Sequence, residues 1–309
     1  MIYLGIDTSN YTTSVAAYGD GVFENIRKLL SVKQGERGLR QSDAVFQHLK
    51  AFPDLFSELS EKVDFKNVKA IGVSTRPRSV EGSYMPVFLA GEGYAKVTAK
   101  SLGVPLYTFS HQDGHIMAGI VSCNSYELLK KKFISVHLSG GTSEILLTEF
   151  NGYNFSCDII GGTKDISAGQ LIDRVGVKMG LKFPCGKELE VISQNAQSEI
   201  SLPVNVSDGY FNFSGIETKT LSLVEEAPNP TIAKSLFISI SKALVKALEF
   251  LAKKYNIEDI LIVGGVASNE IIKSHITDNL SANIHFASAK LSTDNAIGIA
   301  KLTEVNYNK

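Results

Sequence analysis

Three stretches of this 309-residue chain combine residue types and spacings suited to chemistry. The first is His111-Gln112-Asp113-Gly114-His115. Ser110 is a favourable helix N-cap and Asp113 holds the capping-box position, which predicts a helix beginning at His111. Two histidines four residues apart then lie on one helix face, about one turn apart. Two neutral imidazoles so placed suit a single metal ion, although a helical histidine pair is also a common structural feature. The glutamate of an H-E-x-x-H protease helix is absent, because Gln112 stands there. The second stretch is Gly264-Gly265-Val266-Ala267-Ser268-Asn269, expected between a buried strand and a helix. Glycines at such a turn let the backbone approach a ligand, and the helix N-terminus favours an anion. A plain strand-to-helix turn would use the same residues. The third is Asp294, in Leu291-Ser292-Thr293-Asp294-Asn295-Ala296. At the start of a final helix, its simplest role is to complement the helix dipole.

The elements that must position these residues are legible as a repeated plan. Strands are expected over Ile2 to Asp7, Thr13 to Tyr18 and from Val22, separated by Thr8-Ser9-Asn10 and Gly19-Asp20-Gly21. A helix over about Ser42 to Lys62, a strand at Ala70 to Ser74, a helix over about Pro86 to Leu102, a strand at Pro105 to Phe109 and the His111 helix follow. The plan restarts with strands at Phe133 to Leu138, Ser143 to Glu149 and Tyr153 to Ile159, the first turn being Ser139-Gly140-Gly141-Thr142. Helices are expected near Ser167–Gly180, Glu188–Ala196 and Thr231–Tyr255. After them come a strand at Asp259 to Val263, a helix over Ser268 to Leu280, a strand at Asn283 to Phe286 and a helix over Asp294 to Glu304. A three-strand meander followed by helix-strand-helix thus occurs twice. The expected fold class is α/β, a duplicated actin-like ATPase (ASKHA, ribonuclease H-like) fold. Its lobes would be 1–125 and 126–309, the second with a helical insertion, and the last helix packing back on the first. Small-residue turns of the two lobes would face a nucleotide cleft and hold phosphates through backbone N–H groups.

Bulk properties narrow the function classes. Hydrophobic residues make up 44% and charged residues 20%, the make-up of a folded domain rather than a disordered chain. A formal net charge of -1 supplies no global field for nucleic acid, so any RNA contact needs a local basic patch. Lys130, Lys131 and Lys132 read as solvated surface. Three widely spaced cysteines, Cys123, Cys157 and Cys185, argue against a disulfide framework and for a reducing compartment. With no C-x-x-C pair, a cysteine-based zinc site is disfavoured. The N-terminus lacks the basic region of a signal peptide. No apolar run reaches the roughly 18–20 residues that would cross a bilayer. A cytoplasmic protein with no membrane partner is expected.

The motifs together resemble the TsaD family, the tRNA threonylcarbamoyl-transfer proteins once called glycoproteases (peptidase M22). The resemblance spans nearly the whole chain. It is carried by G-I-D-T-S at Gly5–Ser9, H-x-x-x-H at His111–His115, L-S-G-G-T at Leu138–Thr142 and A-G-x-x-x-D at Ala168–Asp173. F-P-x-G at Phe183–Gly186, F-S-G-I-x-T at Phe213–Thr218, G-G-V-A-S-N at Gly264–Asn269 and S-T-D-N-A at Ser292–Ala296 complete it. It implies one iron or zinc ion per chain on His111, His115 and Asp294, which would be the catalytic group. It also implies an adenylate or ATP-derived ligand, with phosphates near Ser139, Gly140 and Gly141, and ribose and base near Asp173, Gly186, Gly265 and Asn269. The implied reaction passes a threonylcarbamoyl group from an adenylate to N6 of the adenosine following the tRNA anticodon, with TsaB-, TsaC- and TsaE-like proteins as partners.

Several positions depart from the family pattern and suggest a divergent paralogue. Tyr11 and Thr12 stand where an acidic pair is expected, Thr142 where S-G-G-H-T has histidine, Gln170 where a glutamate follows A-A-G, and Glu217 where L-K-T has lysine. Arg76-Pro77-Arg78 replaces a Gly-Pro-Gly loop. Arg76 and Arg78 are candidates for holding a substrate carboxylate or phosphate. Arg37, Arg40, Gln41 and His48 are weaker candidates, on another segment expected to face the cleft. The lost lysine and the near-neutral charge weigh against tRNA, since RNA binding leans on phosphate neutralisation. The leading expectation is a metal-dependent acyltransferase, threonylcarbamoyl or carbamoyl. The alternatives are a divergent carbamoyltransferase with a small-molecule or protein acceptor, and a non-catalytic TsaB-type partner subunit, which would not need three metal ligands. A kinase of this fold would need Mg²⁺, which a histidine pair serves poorly. A metalloendopeptidase, the older family label, lacks a placed general base.

Overall fold

The computed structural model describes residues 1–9, 11–32 and 39–309. In chain order the first elements are β1 (Ile2–Asp7), β2 (Thr12–Gly19), β3 (Val22–Leu29), α1 (Gln41–Lys62), β4 (Val68–Arg76), α2 (Phe88–Leu102), β5 (Leu106–Ser110) and α3 (His111–Cys123). Next come β6 (Phe133–Leu138), β7 (Ser143–Phe150), β8 (Phe155–Thr163), α4 (Ala168–Lys178), α5 (Gly186–Ser193), β9 (Asn205–Ser207), β10 (Tyr210–Asn212) and α6 (Ser214–Leu223). The chain continues through α7 (Asn229–Tyr255), β11 (Asp259–Val263), α8 (Glu270–Asn279), β12 (Asn283–Phe286) and α9 (Ile297–Tyr307).

Two sheets carry the same strand logic. The first runs β3-β2-β1-β4-β5; the second runs β12-β11-β6-β7-β8-β10-β9. Reading the second from β8 gives β8-β7-β6-β11-β12, the same order as the first with each strand replaced by its counterpart. In each copy a hairpin partner runs antiparallel to the leading strand, while two later strands run parallel to it. Parallel neighbours require crossovers, and α1, α2, α7 and α8 supply them. The repeat expected from the sequence is therefore present. The second copy also carries α4, α5, α6 and the β9–β10 hairpin. That hairpin turns at Asp208-Gly209, both with positive φ, 55° and 86°.

The described chain divides into two compact units. One comprises Met1–Tyr126, Phe150–Ser156 and Thr293–Lys309; the other comprises Glu127–Glu149 and Cys157–Ser292. The first unit has its own core of Ile2, Leu4, Ile6, Phe52, Leu55, Leu59 and Val73 with their neighbours. In the second, Ile134, Val136, Phe211, Phe213, Phe237, Leu244 and Ile262 lie in one continuous core.

Helix α9 starts three residues later than the sequence suggests. Ala296 is the residue that precedes the helix, Asn295 Oδ1 accepts from Ile297 N at 3.0 Å, and Asp294 lies in the turn that leads into it. The helix lies very close to β1 and α3 because glycines leave room. A Cβ on Gly5 would strike the backbone of Ala296 and Ala300. One on Gly298 would strike the backbone of Gly114 and Ala118. The turn itself is braced by Asn25, whose Oδ1 accepts from Ala296 N at 3.4 Å, and by Arg27, which donates to Thr293 Oγ1.

Gly298→Ala should therefore be destabilising, by at least about 1–3 kcal/mol of overpacking. Gly93→Ala, at an exposed position inside α2 where a Cβ meets nothing, should instead stabilise by about 0.5–1 kcal/mol. Thermal denaturation of the two variants checks this. Equal melting temperatures would show that α9 has slack against α3.

Candidate functional site

The site in the first unit is built on the end of β1 and the beginning of α3. The α3 terminus is fixed as its sequence suggests. Ser110 Oγ accepts from Asp113 N at 3.1 Å, and Ser110 N donates to Asp113 Oδ2 at 2.8 Å, forming the reciprocal capping box. Asp113 is buried and accepts three further bonds, from Ser110 Oγ at 2.6 Å, Ser79 Oγ at 2.9 Å and Phe155 N at 3.0 Å. Substituting such a cap typically costs about 0.5–2 kcal/mol, and here it would also release the first turn that carries His111.

His111 and His115 meet edge to face on one side of α3, ring centroids 4.3 Å apart and ring planes 76° apart. Asp294 closes the group: its Oδ1 lies 3.3 Å from His115 Nε2 and 3.7 Å from His111 Nε2. The three side chains each present one ligand atom, all within 4.8 Å of one another, and none is fully exposed. Two imidazole nitrogens and one carboxylate oxygen form a donor set for iron, zinc or a similar borderline ion rather than for Mg²⁺ or Ca²⁺.

Asp7, which the motif reading passed over, completes the geometry. Wholly buried at the end of β1, it accepts at Oδ1 from His111 Nδ1, 3.0 Å away. Ser74 Oγ also donates to it, as do the Oγ and, at 3.2 Å, the backbone N–H of Ser9. A carboxylate on the far nitrogen of a metal-binding histidine fixes the ring and its tautomer, leaving Nε2 aimed at the ion. The donor set therefore fits a bound metal in orientation as well as in identity. Burial works against the charge on Asp7, but the His111 imidazolium and three hydroxyl and ring donors hold its carboxyl far below the usual range. Burial likewise opposes charge on His111, and the Asp7 carboxylate outweighs it, raising His111 to about 9. Asp294 is lowered in spite of burial by its bond to His115 and the charge on His111.

The residues expected to bind the nucleotide fall in the second unit: Ser139–Gly141 and Gly265 follow the adjacent strands β6 and β11, Asn269 precedes α8, and Asp173 and Gly186 lie on α4 and α5. Ser139 caps its own turn, accepting from Thr142 N at 3.1 Å, and the positions of side chains on Gly140 and Gly141 are open. The β11 turn abuts it: Gly264 has φ 110°, and a Cβ there would strike the Leu138 carbonyl. Gly265 is open, and Asn269 caps α8 by accepting from Ile272 N at 3.0 Å. Ser167 Oγ donates to the Gly140 carbonyl at 2.6 Å, which brings the N-terminus of α4 onto the same turn. Farther along α4, Asp173 accepts from Cys185 N at 2.8 Å, which ties it to the Cys185-Gly186 start of α5. Desolvation raises the Asp173 carboxyl. The Ser139–Gly141 turn, the Gly264 turn and the start of α4 are thus in mutual contact, while Asp173 and Gly186 are joined to each other's neighbourhood at the α4–α5 connection.

The comparisons with known proteins bear on the family and the fold. The family model described as "TsaD: tRNA N6-adenosine threonylcarbamoyltransferase" matches residues 25–301. The chain belongs to the TsaD family. A tRNA N6-adenosine threonylcarbamoyltransferase of Thermosipho africanus is 28% identical, covering 100% of this chain and 95% of that protein. One from Thermus thermophilus is 30% identical over 97% and 91%. Among solved structures, the Clostridium difficile activator of 2-hydroxyisocaproyl-CoA dehydratase matches with TM-score 0.57 at 16% identity, covering 100% of this chain and 97% of that one. A Streptomyces griseus ROK-family glucokinase matches with TM-score 0.55 at 12% identity, covering 98% and 99%. HypF of T. kodakarensis gives TM-score 0.67 at 13% identity, covering 99% of this chain and 48% of that one. These structural likenesses establish the duplicated actin-like ATPase fold.

Two departures from the TsaD pattern have structural partners. Gln170 completes the capping box of α4, accepting from Ser167 N at 3.1 Å. Glu217 on α6 takes both of its oxygens to Arg174 on α4, each at 3.2 Å, so the acidic residue pins the inserted helices together. His48 is a core residue bonded to Thr13 Oγ1 at 2.8 Å, while Arg40 and Gln41 are exposed at the start of α1. Arg37 lies outside the described residues. No helix among the described residues is long and apolar enough to cross a membrane.

Asp7→Asn keeps the shape but removes the charge behind His111, and should weaken iron or zinc binding about 10–100-fold. Titration of metal-free protein with Zn²⁺ checks it; unchanged affinity would strip Asp7 of its role. A second expectation concerns pH. A histidine raised from 6.5 to about 9 stabilises the metal-free protein fully below pH 6.5 and progressively less as pH rises through 9. Metal must displace that proton, so apparent affinity should rise about tenfold per pH unit up to about pH 9. A flat profile between pH 7 and 9 would contradict it.

Proposed function

We propose that this protein is an acyltransferase that passes a threonylcarbamoyl group from an adenylate to N6 of an adenosine in tRNA. The observation that carries the reading is the His111–His115–Asp294 donor set, with His111 oriented by buried Asp7, in a chain of the TsaD family. A non-catalytic partner would have no use for three convergent ligands and a carboxylate behind one of them.

The two units carry different candidate sites. In the second unit, the backbone of Ser139, Gly140 and Gly141 would receive the adenylate phosphate, and the open glycine positions leave the peptide planes accessible. Asp173, Gly186, Gly265 and Asn269 would contact ribose and base. In the first unit, His111, His115 and Asp294 would hold an iron or zinc ion. When bound, that ion would polarise the carbamoyl carbonyl and stabilise the charge that develops on its oxygen. Asp7 keeps the His111 ring aligned, and the α3 capping box keeps the helix from fraying beneath it. Partner proteins of the TsaB, TsaC and TsaE kinds would supply the donor and support turnover. A reducing cytoplasm would suit the three free cysteines.

The direct test is incubation of purified protein, iron- or zinc-loaded, with threonylcarbamoyl-adenylate and unmodified tRNA, followed by mass spectrometry of the nucleosides. Threonylcarbamoyladenosine is expected, with a loss of at least about 10²–10³-fold in His111→Ala/His115→Ala. Metal analysis should find about one ion per chain in wild type and none in the double variant. Metal-loaded, folded wild type that leaves tRNA unmodified, with partner proteins added, would overturn the reading.

A further inference from the structure

Arg76 ends β4 in register with Ser110, the residue immediately before His111. A bulge between Ser74 and Arg76 turns the chain at this point. The next residue is fastened to α3, since the Pro77 carbonyl accepts from Gln112 N at 3.0 Å. The Arg76 backbone is therefore tied to the first turn of the helix that carries both histidines. Ser74, two residues earlier, is itself a donor to Asp7.

The guanidinium has little to do within the chain. Arg76 is half-buried, and its recorded side-chain bond is from Nη1 to the neutral Thr75 Oγ1, at 3.2 Å. Among the described residues, no carboxylate pairs with it. The acids of this region are committed elsewhere: Asp7 to His111, Ser74 and Ser9, Asp113 to the helix cap, and Asp294 to the histidines. Arginine cannot shed its charge, and its planar fork matches a carboxylate with two parallel bonds. Arg78 differs, because it has partners of its own.

We infer that Arg76 is a recognition point for a carboxylate carried by the transferred acyl group. This rests on the transferase reading for the identity of that group. On that reading the carbamoyl carbonyl is held at His111, His115 and Asp294 of the same unit as Arg76, and the anion borne by that acyl group is the threonine carboxylate. Arg76 then acts as a specificity residue, favouring an amino-acid-derived carbamoyl group over plain carbamoyl.

The test compares binding of N-carbamoyl-threonine and its uncharged primary amide to wild type, Arg76→Ala and Arg76→Lys, with circular dichroism confirming folding. Wild type should bind the acid about tenfold tighter than the amide. Arg76→Ala should lose that preference and Arg76→Lys should keep part of it. If Arg76→Ala does not fold, Arg76→Gln replaces it. Equal binding of acid and amide by wild type, no binding of the acid, or a preference that survives in the neutral variant would each overturn the inference. Transfer assays separate it from the reading it rests on. Wild type that prefers the acid yet transfers nothing to tRNA removes the transferase reading and leaves the anion site. Wild type that transfers, with the donor KM unchanged in Arg76→Ala, does the reverse.

Discussion

The bond between buried Asp7 and His111 is the constraint on which the first unit is organised. A carboxylate with no solvent access is tolerable only when donors surround it. Ser9, Ser74 and His111 supply them from the strand-end turn of β1, from β4 and from α3. Meeting that requirement brings three separate elements to one point and fixes the orientation of a ring that must present its other nitrogen outward. The acid is therefore part of the fold and part of the site at once, and breaking the pair would leave a buried charge, typically a cost of about 3–5 kcal/mol.

Close packing of backbone does for Asp294 what hydrogen bonding does for His111. The turn that carries it is held by Asn25 and Arg27, and α9 beyond it lies against β1 and α3 only because Gly5 and Gly298 have no side chains. A carboxylate 179 positions after His115 is brought within 3.3 Å of it by notches cut into other elements. Rigid helix contacts of this kind place a ligand atom more reproducibly than a loop would.

How much of this was legible in the sequence differs from residue to residue. The α3 terminus was readable, because Ser110 and Asp113 are local signals acting three residues apart. The duplicated strand plan was readable from periodicity and small-residue turns. Asp294 could not be singled out as a candidate ligand from its own surroundings; near a helix start it looks like any dipole-complementing acid, and resemblance alone pointed further. Asp7 was missed because its partner is 104 residues away, and a strand-end aspartate before Thr-Ser offers no spacing rule. The β9–β10 hairpin escaped because its strands are three residues long, too short for alternation to register. Glu217 read as a lost lysine, whereas Arg174 Nη1 on the neighbouring helix donates to both oxygens of the acidic residue.

The first unit is assembled from chain that is far from contiguous: its opening 126 residues, a short hairpin tip, and the last 17. A ribosome making this protein therefore finishes the second unit before it has made the strand of chain that completes the first. Until residue 294 emerges, the nascent polypeptide carries the His111–His115 pair without the carboxylate that lies beside it in the finished unit. On the proposed reading, capture of an ion would wait until Asp294 has been made, and a product terminated before it would lack that carboxylate.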